Sequence, residues 1–336
     1  MDFGFRFAPV LAACLLLAGQ ARAADRITFG LDWAAEPEYG GYYEALADGI
    51  YKKYGLDVTI VPGGPQVNNG QRLIGGRLTF DITSNAFLAL NFVQAGIPFV
   101  AVAAGFQKDP DILMAHPDAG EDSFAALKGK PIAVSAGTRA SWWLYLETKY
   151  GYSDAQLRPY SFSLTPFFTN PLLVQEAYVT SEPYLVHQQT GKWPVVLMIS
   201  DAGFNGYASL IATSEKLVKT DPGLVRRFID ASIEGWYAFL YGDPTPAFDA
   251  ILKANPDMTP GLMKFGYEQL KQRGIVDSGD ARTLGIGAMT DARWKSFFDQ
   301  MAATGLYDKN MNYRAAYTLQ FVNKGFGMAS GKPKHD

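Results

Sequence analysis

The residues best suited to chemistry crowd into one stretch, LDWAAEPEYGGYYEALADGIYKKYG, where Trp33, Tyr39, Tyr42 and Tyr43 surround Glu36 and Glu38. Rings beside acids suit a flat ligand bearing N–H donors. The rings cover its faces, and a carboxylate accepts from its edge while keeping its other lone pairs wet or paired. Each residue also has a purely structural reading. Trp33 and Tyr39 pack well in a core, while Glu36 and Glu38, flanking Pro37, fit solvated loop acids or first-turn partners of a helix dipole. Tyr42 and Tyr43 are adjacent on a helix and point apart, so at most one lines the same wall.

Three further sets stand at strand ends, where ligands of open α/β sheets bind. Ser84 and Asn85 close FDITSN, where hydroxyl and amide either reach a ligand or cap the following helix. In VSAGTRASWW, Ser135, Thr138 and Arg139 lead into a helix whose first amides suit an anion; otherwise Thr138 caps and Arg139 pairs on the surface. Glu182, in TSEPYL, ends another strand. Enzyme constellations are absent. The histidines, His116, His187 and His335, are scattered, and no H-E-x-x-H, G-x-S-x-G or G-x-x-x-x-G-K-[ST] occurs. GIGAMT, from Gly285, fails at its sixth position as a dinucleotide turn. No cofactor and no metal site is expected, and the reading is that the chain is not an enzyme.

The single cysteine, Cys14, lies in an N-terminal segment with Arg6 ahead of an apolar run and Ala21-Arg22-Ala23 after it. That layout reads as a signal peptide over 1–23, with an apolar run too short for a permanent span. LAAC at Cys14 has the form of a lipoprotein box, but LLLAG continues the run past it, so soluble export to the periplasm is the reading. The exported chain then lacks thiol chemistry. A net charge of −3 offers no cationic field for nucleic acid or acidic lipid.

To position the candidates, short β-branched runs alternate with helical stretches. RITFGLD, LDVTIV, FDITS, FVAVAAGF, DILMAH, PIAVSA, YSFSL, AYVTSE, VVLMIS and ASLIAT read as strands of an α/β protein with mostly parallel sheet. Trp33 then ends the first strand and Tyr39 opens the first helix. The last third reads as helical. Asp221 caps a helix with Pro222 in its first turn and Gly242 at its end, and Trp236, Phe239, Trp294, Phe297 and Phe298 fall on core stripes.

The blocks LDWAAEPEYGGYYEALADGIYKKYGLDVTIVPGGPQVN, LIGGRLTFDITSNAFLALNFVQAGIPFVAVAAGFQKDP, FAALKGKPIAVSAG and TSEPYL, in that order, resemble the NMT1/THI5-like substrate-binding proteins of ABC transporters. That family includes binders of the thiamine-pyrimidine precursor and relatives serving nitrate, taurine and sulfonate uptake. The resemblance implies a two-lobed, type II periplasmic-binding-protein-like α/β fold with a hinge and a C-terminal helical segment. Lobe I would span 24–113 and return over 206–328, lobe II would span 114–205, and 329–336 would be a flexible tail. It further implies a ligand-filled cleft at Trp33 and Tyr39, with Glu182 facing in from lobe II, and a permease partner.

The expected ligand is an aminopyrimidine-like heterocycle; the alternative is a small anion held by Ser135, Thr138 and Arg139. Tyr39 stands where several relatives have His, and Glu38 where they often have Asn, so the substrate need not be the same. A pyrimidine-synthase-like enzyme is the third reading, disfavoured by Tyr39 at the position of its histidine and by the lack of a cysteine after Cys14.

Overall fold

The computed structural model describes Met1 and residues 23–328, apart from 65, 66, 68 and 118. The expected signal segment, with Cys14, and the expected tail at 329–336 lie outside the described residues, Met1 and Ala23 aside.

Among the described residues, ten strands form two five-stranded sheets. In chain order they are β1 (Asp25–Gly30), β2 (Leu56–Val61), β3 (Phe80–Asn85), β4 (Phe99–Phe106), β5 (Asp111–Ala115), β6 (Ile132–Val134), β7 (Leu157–Pro159), β8 (Val174–Tyr178), β9 (Val195–Met198) and β10 (Ala208–Ser214). The first sheet runs β2-β1-β3-β10-β4 and the second β7-β6-β8-β5-β9, so each lobe has its own sheet. The switch between sheets falls in the segment between β4 and β5. A boundary after Leu113 would cut β5, all of whose paired residues lie in the second sheet.

The mostly parallel expectation is corrected. β1 pairs in parallel with β2 and β3, and β6 with β7 and β8, but β10 is antiparallel to β3 and β4, and β5 to β8 and β9. The antiparallel strands β5 and β10 are those that carry the chain from one lobe into the other. A strand arriving from the opposite lobe enters its sheet from the cleft side, against the direction of strands fed by βα units. Helix Asp291–Ala303 ties the two crossings together. Its Arg293 guanidinium lies over the Tyr207 ring at 4.1 Å and donates to the carbonyls of Asn205, Gly206 and Gln107.

Lobe I carries the larger core, because the C-terminal helices cover its sheet. Helix Pro222–Tyr241 begins under an Asp221 cap that accepts from the Leu224 amide at 2.9 Å and ends at Gly242. Its apolar stripe enters the core, with Phe228 stacked on Phe80 at 4.1 Å and Trp236 edge-on to Tyr42 at 5.5 Å. Against it lies helix Gly40–Ala47, and here the paired glycines have a reason. A Cβ on Gly41 would come within 2.2 Å of the Trp236 ring and one on Gly235 within 2.2 Å of the Gly41 carbonyl. The backbones therefore touch, which fixes the turn just ahead of Gly40 where the candidate residues sit. Among the described residues no helix is long and apolar enough to cross a membrane.

Candidate functional site

Chain leaving β1 bends through Asp32, Trp33 and Ala34, then tightens into a 3-10 turn, Pro37–Tyr39, that runs directly into helix Gly40–Ala47. Trp33 therefore follows the strand by a few residues, and Tyr39 ends the tight turn rather than opening the helix. The Tyr39 ring is buried at 5% exposure, and its hydroxyl donates to Asp32 Oδ1 at 2.6 Å. Ser84, at the end of β3, donates to Asp32 Oδ2 at 2.5 Å. Both oxygens of Asp32 are thus taken by hydroxyls of its own lobe. Asn85 caps helix Ala86–Gln94, accepting from the Phe87 amide at 3.2 Å.

In lobe II the strand expected to end at Glu182 stops at Tyr178, and Glu182 opens the helix that follows. Glu182, at the start of helix Glu182–Thr190, accepts from the Tyr178 amide at 2.8 Å and stands 3.5 Å from the Tyr160 hydroxyl. Glu176, on β8, accepts from the Ser135 amide at 2.6 Å and from its hydroxyl at 3.1 Å. Ser135 also caps its own short turn, accepting from the Thr138 amide at 3.1 Å. The first amide of that turn is therefore engaged by a protein carboxylate where an external anion would sit. Arg139 points elsewhere, paired with Asp154 at 2.8 Å on the exposed surface.

Among the contacts that join the lobes are a hydrogen bond and a ring pair at these walls. Thr180 donates to Glu38 Oε1 across the cleft, while Glu38 Oε2 is buried with no hydrogen-bond partner among the described residues. The Trp33 ring meets Phe162 of lobe II with centroids 4.9 Å apart at 46°, and Phe162 in turn meets Tyr160 at 5.1 Å.

Five carboxyls, Asp32, Glu36, Glu38, Glu176 and Glu182, are held above their ordinary range, and burial is the leading cause for each. Glu38 is pushed up to about 7 by burial, against the Thr180 hydrogen bond, with Glu182 and Asp32 adding to the rise. Glu36 is raised further by Glu38 and Glu182, opposed by a hydrogen bond from Trp33. Among the described residues, no lysine, arginine or histidine figures among the leading influences on these five. Both described histidines stack elsewhere, His116 on Phe167 at 3.9 Å and His187 on Trp193 at 4.1 Å. No metal-binding group of His, Cys, Asp and Glu occurs among the described residues.

The structure thus gathers Trp33, Glu36, Glu38, Tyr39, Ser84 and Glu182, and reaches Ser135 and Thr138 through Glu176. It leaves Arg139 on the surface and Asn85 as a cap. Sequence reasoning passed over Asp32, Glu176, Thr180, Tyr160 and Phe162. Asp32 and Thr180 lay inside the blocks already singled out, LDW and VTSEP, one residue from the chosen tryptophan and two from the chosen acid. Phe162 lay inside YSFSL, whose alternation imitates a strand; β7 in fact ends at Pro159, and Phe162 has φ 61, outside any strand geometry.

The sequence profile described as NMT1/THI5 like matches residues 36–247. The chain belongs to the NMT1/THI5-like family. Among curated proteins, the riboflavin-binding protein RibY of Chloroflexus aurantiacus is 25% identical over 314 residues, covering 90% of this chain and 87% of RibY. Among solved structures, the alkanesulfonate-binding protein SsuA from Xanthomonas axonopodis pv. citri, bound to MOPS, superposes with a TM-score of 0.62 at 14% identity, over 89% of this chain and 99% of that one. The desulfurization enzyme DSZB superposes with a TM-score of 0.59 at 14% identity, over 88% of this chain and 97% of that one. This NMT1/THI5-like chain therefore has a fold shared by solute-binding proteins and an enzyme alike, and its own side chains must decide its role.

Proposed function

We propose that the protein is an exported solute-binding protein that captures a planar nitrogen heterocycle bearing N–H donors and delivers it to the permease of an ABC importer. The observation that carries this reading is the cleft's polarity: acceptor carboxyls from both lobes, one of them with a buried oxygen still unpaired, beside the Trp33 ring. A buried acceptor without a partner costs roughly 1 to 3 kcal/mol, which a ligand N–H recovers on binding. An anion would meet only like charge. Glu176 already takes the Ser135 amide, Ser135 takes the Thr138 amide, and Arg139 is turned away to Asp154, so these three groups are not offered to a sulfonate.

The aminopyrimidine precursor of thiamine belongs to this ligand class, and so does the ring system of riboflavin, the ligand named for the Chloroflexus relative. No nucleophile paired with a base stands in the cleft among the described residues, so the reading assigns binding without chemistry. Mass spectrometry of small molecules carried through native purification, followed by calorimetric titration, tests it. A flat heterocycle with ring or exocyclic N–H groups is expected. Retention of taurine, nitrate or an alkanesulfonate in its place would overturn the reading.

A further inference from the structure

We propose that Phe162 is the second stacking wall of the cleft, a ring supplied by lobe II that makes closure selective for flat ligands. The proposal deepens the heterocycle reading and rests on it. Phe162 lies in the loop between β7 and helix Thr165–Thr169, with its backbone in the left-handed region at φ 61. A bulky side chain pays for that conformation, yet Phe162 remains 45% exposed, so core burial is not what it gains. Its ring instead faces the cleft, meeting Trp33 at 4.9 Å and backed by Tyr160 at 5.1 Å. Tyr160 reaches Glu182 through its hydroxyl, so lobe II presents an aromatic row ending in an acceptor.

Trp33 and Phe162 belong to different lobes, and their separation therefore changes as the hinge opens and closes. A conjugated ring held between them needs walls about 7 Å apart, two van der Waals contact layers. The present 4.9 Å puts the walls in contact, and a parting of about 2 Å admits a flat ring. A puckered or branched molecule is thicker and holds the lobes further apart than a flat ring does, so fewer contacts between them re-form on closure. Planarity is thus read by closure itself, which a pair of rings on one lobe could not do.

The test uses the exported protein, with riboflavin and the hydroxymethyl aminopyrimidine precursor of thiamine as probes, calorimetry for affinity and apo melting curves for stability. Whichever probe binds wild type is expected to lose about tenfold or more in Phe162→Ala and Phe162→Leu alike, since leucine keeps the bulk but not the ring face. Phe162→Tyr keeps the ring and binds within about threefold of wild type. Phe162→Gly loses affinity as alanine does, while its apo form melts higher than Phe162→Ala because glycine adopts the left-handed backbone freely. Wild-type affinity in Phe162→Leu would reduce Phe162 to bulk and overturn the proposal. Tighter binding in Phe162→Ala would make the ring a mere occupant of the ligand's place, with the same consequence. If neither probe nor any other flat heterocycle binds wild type, the cleft reading falls and this proposal with it, a result distinct from equal binding by wild type and variants.

Discussion

The two walls of the cleft are built differently. Lobe I's wall is set before any ligand arrives: Tyr39 and Ser84 both donate to Asp32, the tyrosine ring is in the core, and the glycine contact beneath holds the turn. Lobe II's wall rests on strands of three to five residues and offers an exposed phenylalanine in a costly backbone conformation. In the proposed reading recognition therefore divides: lobe I supplies a stacking face and acceptors, and lobe II supplies the groups whose contacts depend on how far the lobes close.

Breaking the fixed wall at its ring should have the largest effect on binding. Trp33→Ala is expected to cost about 2 to 4 kcal/mol of affinity, as for a central aromatic anchor. Trp33 is only partly buried, so the apo melting temperature should change little. A large apo destabilisation with affinity retained in the folded fraction would move Trp33 from the wall into the core.

The next pair separates the walls by what each residue supports. Tyr39→Phe leaves Asp32 Oδ1 buried without its donor, so the apo protein should lose about 1 to 3 kcal/mol of stability. Glu182→Gln should instead cost about 1.5 to 3 kcal/mol of affinity, the range for a hydrogen bond to a charged group, with a smaller effect on melting. Urea unfolding and calorimetry on both variants read the two quantities. Reversed outcomes would exchange the roles assigned to the lobes.

These differences also explain what the sequence revealed. The helix at Pro222–Tyr241 was legible because its signals are local: an Asp221 cap, a first-turn proline, an apolar stripe and Gly242 at the end. The lobe I residues were legible for a similar reason, being rings and acids packed into a single turn. Phe162 was not. Its alternating neighbours suggest a strand, and only a contact with a residue of the other lobe gives the left-handed turn a purpose. Glu176 was hidden inside β8, where an inward acid looks like any strand residue until the Ser135 amide is seen to meet it. The antiparallel crossings were likewise invisible, since strand direction depends on which lobe the chain has come from.

A smaller effect concerns pH. The cleft carboxyls are raised in the folded state, so the folded chain binds protons more tightly than the unfolded one. Their contribution to stability is full below the ordinary carboxylate range and is lost as pH rises; for Glu38 the loss runs up through about 7. Apo melting temperature should therefore fall between mildly acidic and mildly alkaline buffer. A rise across that window would mean that the acids are paired with cations rather than held by burial.

The sign of the proton exchanged on binding tests the acidic cleft most directly. Calorimetric titration of riboflavin, the thiamine-precursor aminopyrimidine and taurine, run in two buffers of different ionisation enthalpy just below the Glu38 value of about 7, measures it. A neutral donor ligand favours the ionised acceptor, so binding should release protons to the buffer. Proton uptake, with taurine as the ligand that binds, would contradict a cleft built to accept hydrogen bonds and show one that must neutralise itself to admit an anion.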